Sequence, residues 1–235
     1  MSYKLLTEFQ NLFAGKPYLH RNSSLGDWVA MHLYEDLVNL NKSEKLNKRV
    51  ASQEWVLNRG NRRVGVKARR GDGTFGELVP QESPILDPGF VVATGIVATV
   101  EIGTEVKILA KAMIKQIDRV IGDLQKQVTQ FKKGGGQPIC VAIVGINHAA
   151  VCTSYEKDRS YRTDGTSNRH PIQEAAKAEA RLRAEAEDKF DEFIILRYSA
   201  TNEPPYDFSW VDPKLTNQEY GSALVRVCRR YDDRF

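Results

Sequence analysis

The chain is poor in the residues from which the commonest catalytic centres are recognised. Its three cysteines, Cys140, Cys152 and Cys228, form no C-x-x-C pair and cannot all pair within one chain. That argues against a disulfide framework and a zinc site, and points to free thiols in a reducing compartment. The four histidines, His20, His32, His148 and His170, show no metal-ligand spacing such as H-E-x-x-H. There is no G-x-S-x-G elbow and no dinucleotide-binding glycine fingerprint. No signal-peptide core follows Met1, and no run approaches the ~18 apolar residues of a membrane helix, so a cytoplasmic protein is expected. Strong charge of one sign is also lacking. A net charge of +4 is compatible with a nucleic-acid partner but does not imply one.

What is present is ordinary for a globular chain that buries a sizeable core: 41% apolar and 27% charged residues in 235. There is no internal repeat and no clean linker, which predicts one domain over residues 1–235. Residues 3–13 pattern as a short amphipathic helix. A second helix, capped by Ser23 or Ser24 with Asp27 in its first turn, runs to Leu40 and is closed by the polar run 41–48. On it, His32 and Glu35 read as a surface pair, with Glu35 held in reserve as an extra carboxylate. Residues 62–70 alternate, and with the turn Gly71-Asp72-Gly73 and residues 74–79 they predict a β-hairpin. Residues 80–88 read as loop. The clearest helix is 110–132, where Ile114, Ile117, Ile121, Leu124, Val128 and Phe131 recur at spacings of three and four. Residues 139–146 and 193–198 read as strands buried on both faces. Between them lie a long polar connection, 147–170, and an Ala- and Glu-rich helix with Pro171 as its first residue. A packing helix over 220–231 ends the chain.

The most informative stretch is 97–109. Even positions from Ala98 to Ile108 are apolar or small apart from Thr104, the alternation of a half-buried strand. Odd positions place Glu101, Glu105 and Lys107 together on the opposite face. Burying such charges costs several kcal/mol per ion unless they are paired or hold a metal. The plain alternative is a cross-strand ion pair on an exposed face.

Asp87, the triplet Glu105-Val106-Lys107 and the helix from Ala110, in the order strands, charged strand, helix, apolar strand, resemble the PD-(D/E)xK nuclease superfamily, which includes many type II restriction endonucleases. The resemblance covers roughly residues 62–146. It implies an α/β fold with a mixed central β-sheet flanked by helices, a restriction-endonuclease-like core, and Mg²⁺-dependent hydrolysis of phosphodiester bonds in double-stranded DNA. It also implies a homodimer. Asp87 and Glu105 would then supply hard oxygen ligands to Mg²⁺, with the Val106 carbonyl as a further ligand. Lys107 would orient or help deprotonate the attacking water. The pattern departs at the first acid, since the order here is Asp87-Pro88. Glu101, on the same face as Glu105, and Glu77 remain alternatives. For nucleic-acid contacts the candidates are Arg62, Lys67 and Arg69 in the basic stretch 59–70, and Arg159 and Arg162 in the long connection. A solvated strand face would carry the same cations. The alternative function is a non-catalytic nucleic-acid-binding protein that keeps the fold.

Overall fold

The computed structural model describes residues 2–19, 24–58, 71–133, 136–156, 159–166 and 171–235. Its sheet is built on β4 (Ile139–Asn147), whose nine residues are all buried. β4 lies parallel between β3 (Ile102–Leu109) and β7 (Glu192–Ser199). On the far side of β3 the sheet turns antiparallel through β2 (Gly73–Glu77) to β1 (Trp55–Asn58). On the far side of β7 it ends with β8 (Ser209–Trp210). The order β1-β2-β3-β4-β7-β8 is thus a mixed six-stranded sheet, and β5 (Thr153–Glu156) with β6 (Arg159–Arg162) forms a separate two-stranded ribbon.

Strand alternation divides the apolar residues of β4 between two cores. Val141 and Ile143 join Leu5 and Phe9 of α1 (Lys4–Asn11), Met31 and Leu37 of α2 (Ser24–Leu40), and Leu224 and Tyr231 of α6 (Pro213–Arg234). Cys140, Ala142 and Val144 join Ile121, Leu124 and Phe131 of α4 (Ile117–Lys132) and Leu182 of α5 (Ala175–Glu185). The expected α/β class with helices flanking a mixed sheet is therefore present. No helix among the described residues is long and apolar enough to cross a membrane.

Two buried polar side chains fix how these layers dock. No side chain at Tyr3 caps α1; instead the Asp36 carboxylate of α2 accepts from Lys4 N–H at 2.8 Å and Leu5 N–H at 2.9 Å. This satisfies orphan donors of the first turn from a neighbouring helix. At the carboxyl ends of the parallel strands, Asn147 donates to the carbonyls of Ala110 (3.0 Å) and Ala200 (2.7 Å) and accepts from Ala149 and Ala200 N–H. One fully buried amide so joins the exits of β3, β4 and β7.

Several local expectations are corrected. The polar run after α2 contains α3 (Glu44–Ser52), capped by Ser43 and anchored by Leu46 and Val50; two apolar residues four apart suffice to dock it. Residues 74–79 pair with β1, and the 59–70 stretch, including Arg62, Lys67 and Arg69, lies outside the described residues. α4 starts at Ile117, after a short 3₁₀ turn over Ile114–Gln116, and α5 starts at Ala175. His32 and Glu35 are buried, not a surface pair. Glu35 accepts from the N–H groups of Val91 and Val92, both at 2.8 Å, and from Lys4 Nζ at 3.2 Å.

His32 sits between the rings of Trp28 and Phe90, and neither ring nitrogen has a hydrogen-bond partner. Burial holds its pKa below the ordinary value; nearby Glu8 and Glu35 oppose this, and Lys4 reinforces it. A group whose folded pKa is depressed and whose protonated form is charged resists the proton that the unfolded chain accepts below about 6.5. Its contribution to stability is therefore lost as pH falls from about 6.5 towards the folded value. Chemical denaturation of wild type and His32→Phe at pH 7.5 and pH 5.5 should show the wild type losing up to about 1 kcal/mol more than the variant. Equal losses in the two proteins would exclude this role.

Candidate functional site

The site forms where β2 begins, opposite the middle of β3. Gly73 pairs with Thr104, and Asp72 N–H donates to the Thr104 carbonyl at 3.1 Å. Asp72, one residue ahead of β2, therefore stands across from Glu105. Gly71 turns the chain into this position with φ +63°, a left-handed backbone that glycine adopts without a Cβ penalty. The Tyr34 hydroxyl of α2 locks the register from below. It bonds Thr104 Oγ1 at 2.9 Å and the carbonyls of Ile102 and Gly73 at 3.2 and 3.4 Å.

The Asp72 side chain continues the ladder that its backbone leaves. Its Oδ2 accepts from Val106 N–H at 2.7 Å. Because Thr104 and Val106 turn their backbone polar groups towards β2, the Val106 carbonyl lies on the same flank as this carboxylate. Glu105 and Lys107, two residues apart on one face, are in direct contact through Glu105 Oε1 and Lys107 Nζ. The side chain of Glu105 is only 8% exposed and that of Lys107 26%. The expected pairing of these two residues on one face is thus observed, and the opposite, even-numbered face packs into the α2 core through Ile102 and Val106.

Like charges crowd this corner. Burial, then the charge of Glu105, pushes the Asp72 carboxyl up to about 7, with Asp27 adding to the rise; Val106 N–H and Lys107 oppose it. Burial works against the Lys107 ammonium, but Glu105 in contact with it, and Asp72 and Asp123 beyond, raise its pKa above the ordinary value. The first turn of α2 abuts the pair. A Cβ at Gly26 would lie 2.5 Å from Asp72 Oδ1 and 2.7 Å from its carboxyl carbon. Only glycine at that position leaves the Asp72 carboxylate where it is.

The residues singled out from the sequence fall into separate environments. Asp87 lies in the loop after β2. That loop is held beyond the outer edge of β1 by the Ile85–Thr94 bridge and by Leu57, which bonds Ala93 and Gly95. With β1 and β2 between them, at ~4.8 Å per strand, Asp87 is not brought to Glu105. Glu77 is at the opposite end of β2 from Asp72, exposed and paired with Trp55.

Glu101 does not share the face of Glu105. It precedes β3 in a bend, where alternation does not hold, and its carboxylate accepts from Arg49 Nη1 (2.8 Å), Trp55 Nε1 (2.9 Å) and the Tyr231 hydroxyl. The Arg49 guanidinium also lies 4.6 Å from the Trp55 ring centroid. This is a structural clamp joining α3, β1 and α6 to the start of β3. Arg159 and Arg162 are on the β5–β6 ribbon. Asp72 was legible only as a turn residue, because an Asp between two glycines is a strong turn signal and the long excursion over 78–101 separates it from Glu105.

A divalent cation, if held here, would rest on the Asp72 and Glu105 carboxylates, with the Val106 carbonyl on the same flank. Among the described residues no three His, Cys, Asp or Glu side chains converge as a metal-binding group. The donor set is therefore two hard oxygen side chains completed by backbone and water, which fits Mg²⁺ better than a softer, fully protein-caged ion. No protein-family model, curated protein or solved structure matches the chain.

The half-buried Asp72 and the buried Glu101 should respond oppositely to loss of charge. In the absence of divalent ions at pH 8, Asp72→Asn removes a repulsion and keeps an acceptor for Val106 N–H, so its thermal midpoint should rise. Glu101→Gln leaves Arg49 half-buried without its counter-charge and should cost about 1–3 kcal/mol. Thermal unfolding of the two variants beside wild type checks both signs.

Proposed function

We propose that this chain is a Mg²⁺-dependent nuclease that hydrolyses phosphodiester bonds in double-stranded DNA, with Asp72, Glu105 and Lys107 as its centre. The observation that carries the proposal is the juxtaposition of the Asp72 and Glu105 carboxylates across the β2–β3 register, with Lys107 in contact with Glu105. In the nucleases that the sequence resembles, an aspartate stands near the start of the hairpin leading to the (D/E)-x-K strand. Asp72 meets that description better than Asp87. The succession α2, α3, β1, β2, β3, α4, β4, with α3 as an insertion, is in keeping with the same core.

The chemistry follows from the residues. Two carboxylates in a partly desolvated corner repel each other, and a divalent cation between them would relieve that repulsion while polarising the scissile phosphate and activating a bound water. Glu105 fixes Lys107 at the edge of this corner. A lysine held charged there balances negative charge that builds up on the phosphoryl oxygens and orients the water through its protons. Asp27, in the first turn of α2, adds negative potential at the same place. The basic stretch 59–70 joins Asn58 to Gly71 in the chain, so its cations, with Arg62, Lys67 and Arg69 among them, enter the sequence directly beside Asp72 and suit phosphate contacts. A restriction endonuclease acting as a homodimer on palindromic duplex is the more specific form of this reading.

The competing reading is a DNA-binding protein that keeps the fold without cleaving. Plasmid nicking and linearisation with Mg²⁺ or Mn²⁺, and with chelator added, separate the two. Asp72→Asn and Lys107→Ala should each lower the cleavage rate by about 10²-fold or more, whereas Asp87→Asn and Glu77→Gln should cleave as wild type does. Loss of cleavage in Asp87→Asn with retention in Asp72→Asn would move the centre back to Asp87. A wild-type protein that binds duplex and never cuts it would leave the binding reading in place.

A further inference from the structure

The outer edge of β7 is covered for only part of its length. The Tyr198 carbonyl accepts from His148 N–H, so the backbone of Tyr198, and by alternation that of Leu196 and Ile194, faces β4. The Arg197 carbonyl faces the other way and accepts from Val211 N–H. The same alternation turns the N–H and C=O groups of Phe193 and Ile195 to that outer edge. β8 pairs there with Tyr198 and Ser199, and among the described residues no strand lies beside residues 192–196. An open edge of this kind is a template for a further strand.

The edge forms the floor of a groove of about 570 Å³ that has a wall over each face of the sheet. Ile194 and Leu196 turn to the core under α6, Phe193 and Ile195 to the core under α5. The α6 wall includes Ser222 and Arg226, and the opposite wall Arg183 and Phe190. These walls exclude the same edge of a second copy, whose own α5 and α6 would need the space that α5 and α6 already fill. A strand bare of helices enters. The charges are graded along the groove. α6 runs antiparallel to β7, since Arg226 and Arg230 pair with Glu192 at the start of β7 and Glu219 with Arg197 towards its end. At the start, the guanidinium groups of Arg226, Arg230 and Arg234 share the two carboxylates of Asp191 and Glu192. Along α5 and towards the end of β7, the carboxylates of Glu179, Glu187 and Glu219 share the two guanidinium groups of Arg183 and Arg197. One end carries a surplus cation and the other a surplus anion.

We propose that this groove binds an extended peptide segment of another protein, which adds to β7 as an antiparallel strand, basic at its amino end and acidic at its carboxyl end. Main-chain bonds to Phe193 and Ile195 supply affinity, as in strand addition to other sheet edges. With the first guest residue opposite Leu196 and the fifth opposite Glu192, residues one, three and five face α6. The amino end then meets Glu219, and the carboxyl end meets Arg226 and Arg230. The lengths agree. On α6, Arg226 and Arg230 lie about 10 and 16 Å from Glu219, and the first and fifth residues of a strand are about 14 Å apart. Guest residues two and four face Phe193 and Phe190, where apolar side chains belong. The groove lies on the far side of β4 from β3, and its occupation requires nothing of the Asp72–Glu105–Lys107 corner.

The probe is a synthetic peptide, Lys-Val-Thr-Val-Asp between paired serines, titrated into the full chain and followed by amide hydrogen exchange. At saturation, exchange at Phe193 and Ile195 should slow by about 10-fold or more. Methylating the two valine nitrogens removes the main-chain donors that face β7 and should weaken binding by about 10-fold or more. Exchanging the Lys and Asp of the peptide should also weaken it. Ser222 is exposed on the α6 wall, so Ser222→Trp should fill the groove and reduce binding to the same extent while its circular dichroism matches wild type. If that variant does not fold, the methylated peptide decides. Absence of protection at Phe193 and Ile195 with about 1 mM peptide overturns the proposal. So does equal binding of the methylated or charge-exchanged peptide, or of the native peptide by folded Ser222→Trp. Protection of the same amides that grows with protein concentration in the chain alone, with a matching rise in sedimentation coefficient, would give the edge to a second copy and overturn it as well.

Discussion

The register between β2 and β3 is the constraint on which the rest of the site depends. A slip of one residue would turn every side chain of β2 to the other face, carrying Asp72 away from Glu105 and Phe75 out of the core. Two strands with so short a pairing, Gly73 to Phe75 against Thr104 to Ile102, would hold that register weakly by themselves. Tyr34 supplies the missing specification. Its fully buried hydroxyl reaches atoms of both strands, so α2 docks against the sheet in only one arrangement. That arrangement in turn delivers Gly26 and Asp27 to the Asp72 carboxylate. Position of the helix, pairing of the strands and proximity of the acids are therefore one structural decision.

The three charges read from the strand around Glu105 illustrate how differently buried ions can be accommodated. Glu101 is surrounded by donors from Arg49, Trp55 and Tyr231, and its burial is compensated in the folded chain. Asp72, which was not among them, receives one backbone N–H and faces another carboxylate, so its ionised form is disfavoured near neutral pH. Both are acids of low exposure, yet one is satisfied by the protein and the other is not. An acid that the fold holds but does not satisfy is the more telling of the two, because perturbed groups in partly open corners concentrate where chemistry is done.

Much of the architecture was legible in the sequence because it rests on long apolar signals. The uninterrupted run of β4, the apolar core of β7 and the three- and four-residue spacing of α4 each exclude other local structures. α3 and β1 were not legible: Leu46 and Val50 alone carry the one, and four residues of mixed character the other, with tertiary contact deciding both. The candidate site was half legible. Glu105 and Lys107 follow from strand alternation, which survives in β3. Glu101 does not, because the backbone bends before Ile102 and the period of two ends there. Asp72 was hidden by its neighbours, since glycines on both sides give a turn signal that says nothing about what the carboxylate faces. Only the pairing of strands far apart in the chain brings it to Glu105.

That pairing also bears on the choice between cutting DNA and merely binding it. A surface that only binds a polyanion gains from cations and loses from every carboxylate it presents. Here the corner has two facing carboxylates, Asp72 and Glu105, and a third, Asp27, close by. Lys107 cannot neutralise them all, since it is already engaged by Glu105. Phosphate would be repelled from this corner unless a divalent cation stood between. A binding protein would lose nothing by replacing Asp72 with asparagine, which keeps the hydrogen bond to Val106 and removes the repulsion. Two facing acids, of which Asp72 accepts one backbone N–H and Glu105 contacts Lys107, are a feature that the metal-assisted hydrolysis proposed above would use and that binding alone would not.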